Sequence, residues 1–101
     1  MSTYDQWKPH VERVDVPGYP PIHVRGLNGL DLDYVIQTFD GTISEAEANR
    51  LIVALAACDE HGTPLFERGD TAAVGEMSLA VVQAVGEAAS RLNGLGDDPG
   101  N

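Results

Sequence analysis

The chain has 101 residues, 43% of them hydrophobic, which suits one globular domain with a modest core. Sixteen acidic and six basic residues give a net charge of −10, which argues against binding to nucleic acid or to an anionic membrane. The longest apolar run is too short to span a bilayer and the first residues carry no signal-peptide pattern, so we expect a soluble, cytoplasmic protein. The acidity either prevents self-association, provides a face for a basic partner, or mimics DNA.

The two ends of the chain are polar. The first ten residues include Tyr4 and Trp7, whose rings either dock on the domain or stay mobile, as chain termini often do. The last residues are rich in Gly and Asp. The sequence therefore predicts a single domain at residues 11–95, with flexible termini at 1–10 and 96–101.

A β-hairpin is predicted between residues 11 and 27. Val14 and Val16 alternate with charged residues, and so do Ile22 and Val24 after a connection rich in Pro and Gly. A lone hairpin is marginally stable in water, so we expect its apolar face to pack on the helices that follow.

An amphipathic helix is predicted next, capped by Asn28 or Asp31 and reaching about residue 39. Its apolar residues follow the i, i+3, i+4, i+7 spacing of one helix face, which we expect to face the core. These residues are Leu32, Val35, Ile36 and Phe39.

The central helix is predicted from Ser44 to about Asp59. Ser44 and Glu47 have the spacing of a capping box. Residues 51–58 are all apolar, whereas a surface helix has a single apolar stripe. This apolar girdle therefore lies either at the centre of the domain or under another chain.

Residues 59–63 are predicted to form a tight turn in which Gly62 takes a positive φ. Asp70 is predicted to cap a short helix, with a break near Gly75 before a longer helix that ends at Leu92. In this last helix a row of small residues allows another helix to approach closely. The row consists of Ala80, Ala84 and Ala88.

The predicted fold class is thus α+β, an N-terminal β-hairpin followed by three to four α-helices in a small bundle. The sequence indicates no enzyme, metal site or cofactor. Cys58 precedes His61 by three residues, but no second ligand pair follows, and the thiol is interpreted as a small core residue. The functional hypothesis that remains is binding to another protein or self-association. The predicted contact residues are apolar positions of the later helices and of the turn between them. These positions are Leu51, Leu55, Leu65, Phe66, Val81 and Val85.

Three short sequence motifs, taken in their order along the chain, resemble motifs of the short tail assembly chaperones of long-tailed bacteriophages. The motifs are Val24-Arg25-Gly26-Leu27, Cys-Asp-Glu-x-Gly-x-x-Leu-Phe at residues 58–66, and Arg91-Leu92-Asn93-Gly94-Leu95. The first helix differs, because Asp31-Leu32-Asp33-Tyr34 stands where family members often carry a Glu-Arg pair.

The resemblance implies a non-enzymatic protein that binds the tape-measure protein, keeps it soluble and helps recruit tail-tube subunits. Such a chaperone acts in the host cytoplasm and is absent from the mature virion. The alternatives are an acidic DNA mimic that inhibits a nucleic-acid enzyme, and a structural head–tail joining protein.

Overall fold

The computed structural model describes residues 7–38 and 44–94, which form a three-stranded sheet and four helices. This arrangement confirms the predicted α+β class, with the hairpin first and the helices after it. In chain order the elements are β1 (Val11–Val14), β2 (Ile22–Arg25), α1 (Gly29–Thr38), α2 (Glu45–Ala56), β3 (Ala57–Cys58), α3 (Thr71–Gly75) and α4 (Leu79–Leu92). The expectations for Tyr4, Phe39 and the C-terminal tail lie outside the described residues.

The hairpin pairs β1 with β2 in antiparallel register, from Val11 opposite Arg25 to Val14 opposite Ile22. Its connection turns at Gly18, whose φ of +87° few other residues adopt, and the amide of Tyr19 donates to the carbonyl of Val16. The alternation of Val14, Ile22 and Val24 thus predicts the strands correctly.

A third strand follows α2 without a connecting loop. The prediction that this helix continues to about Asp59 is wrong, because α2 ends at Ala56 and the next two residues pair with β2. Ala57 lies opposite Val24 in this pairing. Backbone hydrogen bonds offered by the free edge of β2 outweigh the helical preference of the local sequence.

The predicted turn after β3 is present. Gly62 has a φ of +85°, and the Asp59 carboxylate accepts hydrogen bonds from the amides of His61 and Thr63 at 2.8 and 3.0 Å. Pro64 then forms an isolated bridge with Cys58. Asp59, which follows β3 directly, therefore stabilises the turn through its side chain.

The C-terminal half contains the predicted break. Asp70 caps α3 by accepting the amide of Ala73 at 3.1 Å, and α4 starts afresh at Leu79. In α4 the Arg91 guanidinium pairs with the carboxylate of Glu12 on β1. That contact ties α4 to the sheet, against which the helix packs.

The core lies where α4 meets the sheet and α2, and α2 also packs on α3. Valines and alanines dominate this core, which permits close approach of the elements. Its buried members are Val16, Val24, Val53, Ala54, Ala56, Ala57, Val74, Val81, Val85, Ala88 and Ala89. Of the predicted small-residue row, Ala88 is buried, Ala84 is partly buried and Ala80 is exposed.

Candidate functional site

Four of the six predicted partner-binding residues are buried in the fold. Leu51 and Leu55 of α2 are 2% and 3% exposed, and Val81 and Val85 of α4 are also enclosed. None of these four side chains therefore contributes to an exposed apolar surface of the domain. The reason is that α3 and α4 pack on α2, while the loop after β3 covers Leu55, so the apolar girdle is used by the domain itself.

The other two predicted residues lie in the loop after β3. Leu65 is exposed, although its amide donates to the carbonyl of Ala57 at 3.1 Å. Phe66 is partly buried and packs against the core. These two side chains therefore do not combine with Leu51 or Val81 into one continuous surface.

Three of the exposed large apolar side chains lie together on α1. Leu32 and Ile36, predicted to face the core, are 56% and 63% exposed, and Leu30 is exposed as well. Helix α1 makes fewer contacts with the other elements than any of the longer helices. The prediction that this stripe faces the core is therefore wrong for Leu32 and Ile36, while Val35 is partly buried.

An open groove of about 350 Å³ lies between α1 and the rest of the domain. We call it the α1 groove. Its walls are mostly apolar side chains from α1, from the preceding loop and from α2, with two amide side chains, those of Asn28 before α1 and Asn93 at the end of α4. The lining includes Leu27, Leu32, Val35, Ile52 and Asn93.

Asn93 holds one end of the α1 groove in place. Its Oδ1 accepts the amide of Leu27 at 2.7 Å, and its Nδ2 donates to the carbonyl of Ala89 at 2.8 Å. The side chain therefore joins the C-terminus of α4 to the loop that leads into α1. Gly94, with a φ of +69°, completes the predicted helix end.

A buried ion-pair cluster anchors the start of α1. Asp31 is fully buried, its Oδ2 lies 2.9 Å from Nη1 of Arg25, and its Oδ1 lies 3.2 Å from Nη1 of Arg68. The Oδ1 atom of Asp31 therefore lies close to the positive charge of Arg68, but it accepts no hydrogen bond of good geometry. Because an unpaired buried charge is costly, the two arginines hold α1 at this point.

The same aspartate takes part in the helix cap. The amide of Asp31 donates to Asn28 Oδ1 at 2.9 Å, and the amide of Asn28 donates to Asp31 Oδ2 at 3.0 Å. This reciprocal pair satisfies amides that the first helical turn leaves open, and the carboxylate also lies at the favourable end of the helix dipole. The sequence allowed either Asn28 or Asp31 as the N-cap of α1, and the structure shows that Asn28 is the N-cap.

Arg68 extends the anchor along α1. Its guanidinium lies 5.7 Å from the centroid of the Tyr34 ring and donates weakly to the carbonyl of Leu30. The Tyr34 hydroxyl packs directly over Gly69, where a side chain has no room. These contacts fix one side of α1 while Leu32 and Ile36 stay exposed.

The titratable groups around β3 have structural explanations. Burial raises the pKa of the Cys58 thiol, and the backbone amides of Thr63 and His61 lower the pKa of Asp59. Within the described residues no group of three His, Cys, Asp or Glu side chains is placed to hold a metal ion. In the same part of the chain, none of the helices has the length and apolar content needed to cross a bilayer.

No known protein family, curated protein or solved structure matches this chain. The candidate site therefore rests on the geometry alone. It comprises the exposed face of α1 and the α1 groove beside it, which sequence reasoning missed. No local signal in the sequence marked this site, because the face of α1 that turns inward depends on the contacts of Asp31 with Arg25 and Arg68 in other elements.

Proposed function

We propose that this protein is a phage tail assembly chaperone whose α1 face binds amphipathic helices of the tape-measure protein. The observation that carries the proposal is the exposure of Leu30, Leu32 and Ile36 beside an open apolar groove. Exposed apolar surface of this kind is typical of interaction sites, and helix-in-groove docking covers it with the apolar stripe of a partner helix.

The charge of the protein supports the same role. A net charge of −10 keeps a chaperone soluble while it covers an otherwise aggregating partner. It also disfavours nucleic acid as the occupant of the groove, because phosphate contacts require Lys and Arg. The proposed complex forms in the host cytoplasm, where it also assists recruitment of tail-tube subunits, and no bond is made or broken.

Co-expression with a phage tape-measure protein tests the proposal. We expect the wild-type protein to raise the soluble fraction of the tape-measure protein several-fold. The double variant Leu32→Ser, Ile36→Ser should lose this effect and still fold, because both side chains face solvent. A matched control is Val11→Ser, an exposed apolar position on β1.

Two outcomes would contradict the proposal. The first is a tape-measure protein that is equally soluble with and without this chain. The second is a double variant that performs like Val11→Ser, which would place the contact elsewhere. Recovery of this protein in purified virions would instead point to a head–tail joining role.

A further inference from the structure

The tetrapeptide Leu-Asn-Gly-Leu occurs twice in the chain, at residues 27–30 and 92–95. Each copy contains an Asn-Gly pair, the dipeptide at which an asparagine side chain most readily loses its amide group, because glycine leaves the next backbone nitrogen unhindered. Asn28 and Asn93 also line the α1 groove together. Since the neighbouring residues are the same in both copies, a difference in reactivity between the two asparagines has to come from the folded structure around them.

The second copy is held at each group that would react. Asn93 is partly buried, its Oδ1 accepts the amide of Leu27 at 2.7 Å, and its Nδ2 donates to the carbonyl of Ala89 at 2.8 Å. The amide of Gly94 donates to the carbonyl of Arg91 at 3.3 Å. Both the backbone nitrogen that would attack and the side-chain nitrogen that would leave are therefore engaged in hydrogen bonds.

The first copy leaves the corresponding groups open. Asn28 and Gly29 are exposed, and a β-carbon built on Gly29 would meet nothing within 4 Å. Among residues 7–38 and 44–94, the side chain of Asn28 makes one hydrogen bond, in which Oδ1 accepts the amide of Asp31 at 2.9 Å, so its Nδ2 has no partner there. Gly29 is the first residue of α1, and its amide is one of those that a first helical turn leaves unpaired.

We propose that Asn28 is a site of spontaneous deamidation in the folded protein, and that the structure protects Asn93 from the same reaction. The amide nitrogen of Gly29 attacks Cγ of Asn28 to form a succinimide ring, and Nδ2 leaves as ammonia with the proton of the glycine amide. Solvent water then adds across one of the two carbonyl–nitrogen bonds of the ring and opens it. The products are aspartate and isoaspartate at position 28, and no enzyme or cofactor takes part.

Either product disturbs the cap of α1. Asn28 and Asp31 form a reciprocal pair of hydrogen bonds, in which the amide of Asn28 donates to Oδ2 of Asp31 at 3.0 Å. An aspartate at position 28 brings a second carboxylate close to the buried one, and like charges repel each other. An isoaspartate lengthens the backbone by one carbon, so the reciprocal pair loses its register. The reaction therefore loosens α1 at the point where Arg25 and Arg68 anchor it.

Peptide mapping by mass spectrometry tests the proposal. Trypsin cuts after Arg25, Arg50 and Arg91, so the two Asn-Gly pairs fall in separate peptides, 26–50 and 92–101. Folded protein is kept at mildly alkaline pH, and each asparagine is followed for a gain of about 1 Da. We expect Asn28 to be converted at least about tenfold faster than Asn93 in the folded protein. In denaturant the two rates should agree within about twofold, because only the shared local sequence then matters.

Gly29→Ala provides a variant that should fold normally. The φ of Gly29 lies outside the left-handed region, the space around it is open, and alanine favours the helix more than glycine does. The methyl group hinders the attacking nitrogen, so we expect the conversion of Asn28 to slow about tenfold while that of Asn93 is unchanged. Hydrogen exchange should become faster in α1 of aged wild-type protein and stay as it was in aged Gly29→Ala.

Four outcomes would overturn the proposal. They are equal rates at Asn28 and Asn93 in the folded protein, no conversion of Asn28, a conversion rate that Gly29→Ala leaves unchanged, and unaltered hydrogen exchange in α1 after Asn28 has been converted. The reaction requires only water and the exposed start of α1, so it does not depend on which partner the α1 groove binds. Co-expression with a tape-measure protein and peptide mapping of the isolated protein can therefore fail independently.

Discussion

Asp31 of α1 and Arg25 of β2 form an ion pair inside the protein, with Nη1 of the arginine 2.9 Å from Oδ2 of the aspartate. Asp31 is fully buried, and Arg68 approaches its other oxygen from the loop after β3. This cluster determines the orientation of α1. Because the carboxylate turns inward, the apolar residues Leu32 and Ile36 are left on the outside.

Replacing the buried aspartate tests this anchor. Asp31→Asn should destabilise the protein by about 3–5 kcal/mol, because it leaves the largely buried Arg25 without a compensating charge. Asp33→Asn, two residues away and exposed, should change the free energy of unfolding by less than about 0.5 kcal/mol. Urea denaturation followed by circular dichroism measures both. Equal midpoints for the two variants would show that the ion pair does not hold α1.

The packing of Tyr34 over Gly69 gives a second prediction. Gly69→Ala should destabilise the protein by at least about 1–2 kcal/mol, because the φ of +81° is unfavourable for a side chain. The new methyl group should also displace the Tyr34 ring, which thermal unfolding and tyrosine fluorescence would register. Gly18→Ala is the control, since its φ of +87° imposes the same backbone strain with open space around it. A smaller loss of stability for Gly69→Ala than for Gly18→Ala would contradict the contact.

Because the apolar girdle at residues 51–58 is buried, substitutions there should lower stability, whereas substitutions on the exposed face of α1 should lower partner binding. Leu51→Ala should cost about 2–5 kcal/mol of stability, because it leaves a cavity in a well-packed region. Leu32→Ser should leave stability within about 0.5 kcal/mol of wild type and lower partner binding. Denaturant titrations of the two variants, beside the co-expression assay, separate the effects. A stable Leu51→Ala variant would mean that the girdle is not core.

The turn at Asp59 predicts a pH dependence. The amides of Thr63 and His61 lower the pKa of this carboxyl in the folded protein. Its stabilising effect is therefore complete above the unfolded pKa of 3.8 and is lost as the pH falls through the folded value. The stability difference between wild type and Asp59→Asn should be constant near neutral pH and shrink below about pH 4. Glu60→Gln is the matched control at the adjacent exposed position, because the amides of His61 and Thr63 bond to Asp59.

The buried cysteine predicts low reactivity. Burial raises the pKa of Cys58, so the thiolate that reacts with disulfide reagents is scarce at neutral pH. We expect the folded protein to react with Ellman's reagent only as fast as it opens, and the denatured protein to react at once. Because the unfolded thiol ionises first, stability should also fall as the pH rises above 9.0. Rapid modification of the native protein would contradict the burial of Cys58.

The sequence was most informative where local chemistry decides the structure. Turn residues at Gly18 and Gly62 and the cap at Asp70 predict the corresponding features correctly. The strand β3 was missed because two residues leave a helix only in response to the open edge of β2, which is a tertiary effect.

The candidate site could not be predicted from helical periodicity alone. The apolar girdle and the apolar stripe of α1 are both hydrophobic in sequence. Periodicity alone does not show which of the two is buried in the domain. The choice depends on long-range contacts, above all those of Asp31 with Arg25 and Arg68. These contacts join residues on separate elements, so no local pattern in the sequence specifies them.

Methyl NMR of the protein with a tape-measure segment is the most direct test of the central claim that α1 provides the binding surface. We expect the methyl resonances of Leu32 and Ile36 to shift on addition of the segment, while those of Leu51 and Val85 in the core stay in place. Shifts confined to Leu51 and Val85, or no shift at any methyl group, would contradict the account.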